Sequence, residues 1–214
     1  EAALRDRQFG KTALVSSFGT EAAVLLHMVS RIAPDTPVLF LDTELMFEET
    51  LEYQRSLSAS LGLTGVRIIR AEAPSLTAHD PDNTLHQRDT DACCSLRKTE
   101  PLQAALSGFN TWISGRKRFQ GGKREQLQLI EAEHGTGRVK LNPLANWSGE
   151  DTRAYIAEHD LPRHPLMAQG YGSVGCAPCT VPAEGREGRW KGEDKSECGI
   201  HFENGKMVRT GATA

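Results

Sequence analysis

The chain has 214 residues, 38% of them hydrophobic, and a formal net charge of −3 at pH 7. That length supports one sizeable core and is short for two domains; the charge argues against a general nucleic-acid binder, and no apolar run approaches a membrane span or a secretion signal. Five cysteines, an odd number without a secretion signal, favour metal binding or thiol chemistry in the cytoplasm over a disulfide framework.

Position 1 is Glu and not Met, so natural residues are expected to precede it. Ala13-Leu14-Val15 reads as a short buried strand. It runs into Ser16-Ser17-Phe18-Gly19-Thr20 and then into a helix whose apolar positions are Ala22, Ala23, Leu25, Leu26, Val29 and Ile32. Free N–H groups at such a helix start, beside serine hydroxyls, hold phosphate or sulfate; many α/β connections use Ser and Gly only to turn. Val38 to Leu41 is a second strand, ending at Asp42-Thr43, where ligands collect at the carboxyl edge of a parallel sheet. Phe47, Leu51, Leu57 and Leu61 mark one helix face, Val66 to Ile69 a third strand and Trp112 to Gly115 a fourth. Val139 to Leu144 gives a fifth, and Ser148 to Asp151 opens a helix as a capping box. The alternation predicts a Rossmann-like α/β domain, a mainly parallel sheet with helices on both faces.

Between the third and fourth strands lie polar Thr77 to Thr90 and then Asp91-Ala92-Cys93-Cys94-Ser95-Leu96-Arg97-Lys98, where a helix is expected to begin. Neighbouring cysteines strain against bonding to each other, so the pair points at something shared. Lys98 follows Cys94 by four residues and would share its helix face, either offsetting negative sulfur or as an ordinary solvated lysine. Cys176 and Cys179 form a Cys-x-x-Cys turn. With Cys93 and Cys94 they supply the four thiolates that a [4Fe–4S] cluster or a structural zinc requires.

Cys198 is left over, set in Glu-Cys-Gly-Ile-His. The charges of Arg186, Arg189, Lys191 and Lys195, with His201, would favour its thiolate, as a nucleophile needs. Basic residues also bunch at Arg97-Lys98, Arg116-Lys117-Arg118 and Lys123-Arg124, as a site for a polyanionic small molecule would need. The glycine-hinged loop from Arg116 to Arg124 reads either as closing on phosphoryl or sulfuryl groups or as a solvated basic loop. Trp147 is expected in the core, and Met207 to Ala214 as a tail that orders only on contact.

Seven segments together carry a family likeness: Ser16-Ser17-Phe18-Gly19; Leu41-Asp42-Thr43; Cys93-Cys94 with Arg97-Lys98 and Pro101-Leu102; Ser114-Gly115-Arg116; Asn142-Pro143-Leu144 with Trp147-Ser148; Gly175 to Thr180; and Glu197 to His201. In order and spacing the chain resembles the assimilatory sulfonucleotide reductases over almost its whole length. The four further cysteines match the adenylyl-sulfate (APS) branch, whereas the 3′-phosphoadenylyl-sulfate branch typically keeps the tail cysteine alone. Departures are small: Ser196 stands where threonine is usual, and Phe119 to Gly122 where Gln-Ser is commoner.

The resemblance implies an adenine nucleotide alpha-hydrolase-like fold, with residues 1–182 as the nucleotide-binding and iron–sulfur body and 183–214 as an arginine loop and mobile catalytic tail. It implies a [4Fe–4S] cluster on Cys93, Cys94, Cys176 and Cys179. Cys198 would attack the sulfur of APS, with AMP leaving and reduced thioredoxin or a glutaredoxin-like donor freeing sulfite for cysteine biosynthesis. His201 and Lys98 would serve the reaction. Arg116, Arg124, Arg186 and Arg189 would hold the anion, and Ser16, Ser17, Phe18, Gly19, Asp42, Thr43 and Gly115 the nucleotide. A homo-oligomer is compatible with this reading. Its rivals are a 3′-phosphoadenylyl-sulfate reductase, an ATP pyrophosphatase-type tRNA thiolase, and a zinc-stapled binding module in which Cys198 is incidental. The thiolases carry Ser-Gly-Gly-x-Asp-Ser where Ser16-Ser17-Phe18-Gly19-Thr20-Glu21 stands here.

Overall fold

The computed structural model describes residues 1–6, 8–133, 135–193, Lys195 and Glu197, with backbone alone at 202–203 and 206–207. The strands of the body are β1 (Thr12–Ser16), β2 (Val38–Leu41), β3 (Val66–Ile69), β4 (Thr111–Ser114), β5 (Ile130–Glu133) and β6 (Arg138–Leu141). They form one sheet in the order β3-β2-β1-β4-β6-β5. Neighbours are parallel except β5, which runs antiparallel to β6. From β1 the chain steps outward through β2 to β3, then returns to the far side of β1 as β4. Connections therefore diverge at the carboxyl ends of β1 and β4, which opens a crevice there.

Side chains alternate between the two faces of the strands. Leu14, Val38, Phe40, Ile113 and Leu141 pack against α1 (Ala22–Ile32), α2 (Glu48–Ser60) and a later helix at Gly149–Glu158. On the opposite face Ala13, Leu39, Leu41 and Trp112 meet Leu102 and Leu106 of the helix Glu100–Leu106. Phe40 and Trp112 are wholly buried, and each large apolar side chain so placed contributes about 1.5–3 kcal/mol.

The segment between β3 and β4 holds α3 (Ala73–His79), α4 (Leu85–Arg88) and α5 (Thr90–Cys94), then a π-helical turn (Ser95–Thr99) and α6 (Glu100–Leu106). The helix expected near the cysteines is thus present, starting earlier and interrupted by the wide turn. In α7 (Gly149–Glu158) the capping box forms as expected: Ser148 Oγ accepts from the Asp151 N–H at 3.0 Å, and Asp151 Oδ2 accepts from the Ser148 N–H at 2.8 Å. Trp147 packs against the core while remaining partly buried.

One strand departs from the sequence expectation. β5, Ile-Glu-Ala-Glu, is half acidic, and three of its four residues have little strand preference. It pairs on one side only, and its four-residue apolar–polar alternation runs against its burial, with Ile130 56% exposed and Glu133 buried. Among the described residues no helix is long and apolar enough to cross a membrane. The backbone of Phe202–Glu203 pairs antiparallel with Lys206–Met207; of the expected extension, Cys198, His201 and residues 208–214 lie outside the described residues.

Candidate active site

A cavity of about 220 Å³ opens in the crevice where β1 and β4 diverge. Ser16, Ser17 and Gly19 reach it from the loop after β1, and Gly115 and Arg116 from the loop after β4. Phe18 turns the first loop: its φ is 49°, a left-handed conformation costly for a bulky residue. Its ring is fully buried and meets Phe40 edge-on at 5.3 Å between centroids. Phe18 therefore shapes the loop from beneath and does not line the cavity. The following helix, α1, starts at the cavity wall with no side-chain cap, so its first N–H groups and dipole favour an anion.

Cations converge on this cavity from three further segments. Lys98 comes from the π turn that follows Cys93 and Cys94, Arg124 from the loop after β4, and Arg186 and Arg189 from the loop after the Cys-x-x-Cys turn. Backbone hydrogen bonds return that last loop to the site: the Val181 N–H donates to Gly188 O at 2.9 Å and the Trp190 N–H to Cys179 O at 3.0 Å. Gly188 sits where a Cβ would lie 2.0 Å from Val181 O, so only glycine permits the approach. Arg189 Nη1 donates to Val174 O at 3.2 Å, with its guanidinium 4.4 Å from the Trp190 ring centroid.

A second, smaller cavity is lined by Cys93, Cys94, Cys176 and Cys179 with Thr43, His86, Arg97 and Lys98. None of the four is in a disulfide. Lys98 and Cys176 line both cavities. Burial raises the Cys176 thiol, but the Lys98 charge, the Thr43 hydroxyl at 3.2 Å and Arg189 together bring it below the usual thiol range. Burial and the neighbouring sulfurs push Cys93 up to about 12, and burial raises Cys179. No three His, Cys, Asp or Glu side chains among the described residues are gathered tightly enough for a single metal ion.

Of the predicted nucleotide and anion residues, Ser16, Ser17, Gly19, Gly115, Arg116, Arg124, Arg186, Arg189 and Lys98 are brought together. Asp42 and Thr43 are not part of that wall. Asp42 Oδ2 accepts from Arg70 at 2.8 Å and Oδ1 from the Glu44 N–H at 2.9 Å, while Thr43 faces the sulfurs.

Several contacts around these residues were not expected from the sequence. Lys117 is 2% exposed and donates to Glu21 Oε2 at 3.0 Å; burial lowers its pKa, and Glu21 opposes the shift. Arg116 donates to Glu131 at 3.3 Å, with Lys140 3.6 Å from the same carboxylate oxygen. Lys140 lies 4.7 Å from the Trp112 ring centroid, and burial, then the charge of Arg116, draws it down to about 7. Lys195 Nζ donates to Asp91 at 2.7 Å, to Thr90 O at 3.0 Å and to Cys94 Sγ at 3.5 Å. Glu197, which precedes Cys198 in the chain, lines the larger cavity, and its carboxylate is held by Arg124 and Arg186. The basic run at 116–118 was visible, but nothing in it distinguishes Lys117, facing the site, from Arg118, which donates to Leu127 O at 2.7 Å.

Residues 11–182 match the phosphoadenosine phosphosulfate reductase domain. The chain is 45% identical to an adenosine 5′-phosphosulfate reductase of Mesorhizobium japonicum, an alignment covering 100% of this chain and 85% of that protein. It is 46% identical to a protein of the same name from a Chelativorans species, over 92% of this chain and 82% of the relative. Among solved structures, the phosphoadenylyl-sulfate reductase of Candida auris, a phosphate complex, aligns with a TM-score of 0.71 at 29% identity, covering 82% of this chain and 86% of that one.

Proposed function

The chain belongs to the phosphoadenosine phosphosulfate reductase family, and we propose that it is an oxidoreductase reducing adenosine 5′-phosphosulfate to sulfite and AMP in assimilatory sulfate reduction. The observation that carries this reading is the meeting of six cationic side chains, Lys98, Arg116, Lys117, Arg124, Arg186 and Arg189, with the β1 loop and the start of α1 in one cavity. A sulfate–phosphate anhydride presents anionic oxygens at both ends. Oriented N–H groups and fixed cations are what its displacement needs.

Cys198 is the proposed nucleophile. Its thiolate attacks the sulfur of the sulfate group; an S–S bond forms, the S–O bond to the phosphate breaks, and AMP leaves with the electron pair. A thiolate of reduced thioredoxin, or of a glutaredoxin-like donor, then attacks Cys198 Sγ. Sulfite departs with the electrons of the broken S–S bond, and a mixed disulfide remains. The donor's second thiol resolves it, so the donor becomes a disulfide and Cys198 returns as thiolate. Lys98 and the arginines neutralise charge on the oxygens, and His201 is proposed beside the reacting thiol. Residues 183–214 form the proposed mobile extension carrying this cysteine, a division supported by the family match ending at residue 182. Thiol chemistry of this kind suits a reducing cytoplasm.

Cys93, Cys94, Cys176 and Cys179 are the proposed ligands of a [4Fe–4S] cluster. The donor set fits: four thiols, none of them in a disulfide, line one cavity, and four thiolates are the ligand set that such a cluster takes. When bound, the cluster would supply electrostatic organisation beside Lys98. The 3′-phosphorylated nucleotide is the second reading, favoured by the likeness to the Candida auris enzyme.

Single turnover with adenosine 5′-phosphosulfate, followed by mass spectrometry of the Cys198 peptide, tests the proposal. A sulfonated Cys198 is expected, and Cys198→Ser is expected to release no sulfite. Sulfite release undiminished in that variant would overturn the assignment.

A further inference from the structure

The cations of the cavity are not all waiting for a ligand. Both oxygens of the Glu197 carboxylate meet the guanidinium of Arg124, Oε1 at Nε and Oε2 at Nη2, the latter at 2.8 Å; Arg186 Nη2 lies 3.5 Å from Oε2. This is the two-pronged match of a planar guanidinium with an oxyanion, the arrangement by which arginine also grips sulfate or phosphate. Arg124 Nη1 is meanwhile taken by Gln120 Oε1. The edge of Arg124 that an incoming oxyanion needs is therefore already filled by the chain's own carboxylate. Burial raises the Glu197 carboxyl, but the bonds and charge of Arg124, then Arg186 and Arg116, hold it below the usual range, so it is anionic at neutral pH.

We propose that Glu197 is a built-in competitor for the oxyanion subsite of Arg124 and Arg186, displaced when an anionic group of the sulfonucleotide enters and re-seated when product leaves. The inference rests on the nucleotide reading of this cavity. Glu197 acts through Arg124 and Arg186 and is a positioning residue: because it adjoins Cys198 in sequence, exchange at the arginines ties occupancy of the subsite to the segment that bears the thiol. Substrate binding and carboxylate docking then oppose each other by one shared coupling free energy.

Calorimetric binding of adenosine 5′-phosphosulfate to the cluster-loaded Cys198→Ser protein, which cannot turn over, tests this. Adding Glu197→Gln is expected to tighten binding by roughly 5–50-fold, within the usual range of a site–site coupling. In an Arg124→Ala background that gain is expected to shrink severalfold, which a double-mutant cycle reads even where one variant is less stable. Glu187→Gln, which removes a charge from the same loop with no ion pair among the described residues, is expected to change affinity less than twofold. Unchanged or weaker binding with Glu197→Gln overturns the proposal, as does an equal gain from Glu187→Gln; in both cases the nucleotide reading stands. Absence of binding in every variant and in the parent overturns the nucleotide reading, and the inference with it.

Discussion

Arg97 Nη2 donates to Asp80 Oδ2 at 2.7 Å, and the two side chains are only 2% and 0% exposed. The same guanidinium reaches Asn83 and donates from Nη1 to Thr43 O at 2.9 Å. One residue thus ties the π turn after the cysteines to the loop before α4 and to the segment just after β2. Removing it strands a buried carboxylate, so Arg97→Ala is expected to cost about 3–5 kcal/mol in urea unfolding of the protein. Burial raises the Asp80 carboxyl, but hydrogen bonds from Arg97 and from the Leu85 N–H, with the charge of Arg97, leave it below the usual range. A depressed carboxyl contributes stability at neutral pH that disappears as pH falls through the folded-state value, below the usual carboxylate range. Arg97→Ala should flatten that acid limb, and an unchanged limb would contradict the pairing.

His164 makes a separate prediction. Nδ1 accepts from the Leu166 N–H at 3.2 Å, which leaves Nε2, 3.0 Å from Thr50 Oγ1, to carry the proton. Burial lowers its pKa from 6.5 to about 4. Between those values the unfolded chain takes up a proton that the fold refuses, so stability should decline from pH 6.5 to about 4, by on the order of 2–3 kcal/mol. Chemical denaturation across that range should show a shallower decline in His164→Gln.

Gly188→Ala probes the loop that returns Arg186 and Arg189 to the cavity. The added methyl must displace Val181 O, since the unrelaxed separation is 2.0 Å. A shift of about 1 Å in substrate-positioning groups costs on the order of 10²-fold in kcat/KM. The sheet lies elsewhere, so the urea midpoint should move little. A normal kcat/KM would show that this loop does not position the arginines.

Replacing Cys179 by Ala should abolish iron binding and brown colour in anaerobically purified protein while leaving the far-ultraviolet circular dichroism of the body intact. Iron and acid-labile sulfide are the measurements. A colourless wild type containing one zinc would instead favour the stapled binding module.

The parallel strands and the crevice at β1 and β4 were legible because buried strands read as short apolar runs between glycine- and serine-containing turns. The cysteine set was legible for a different reason: residue type and spacing suffice to count soft donors. Lys117 and Glu197 were not, because a charge pair formed by residues 96 positions apart, as Lys117 with Glu21, or 73 apart, as Arg124 with Glu197, leaves no local periodicity. Asp42 shows the converse limit. Its place at a strand's carboxyl edge was correct, but Arg70, one residue beyond β3, takes the carboxylate.

The π-helical turn at Ser95–Thr99 holds about one residue more per turn than an α-helix. Each helical residue advances about 100° around the axis, so the widened turn works as a phase shifter. Upstream, Cys93 and Cys94 keep their azimuth toward the sulfur-lined cavity; downstream, Leu102 and Leu106 keep theirs toward the sheet. Excising a single residue would regularise the rod and force a choice between the two, either a seated helix with averted sulfurs or aligned sulfurs with its apolar anchor in water.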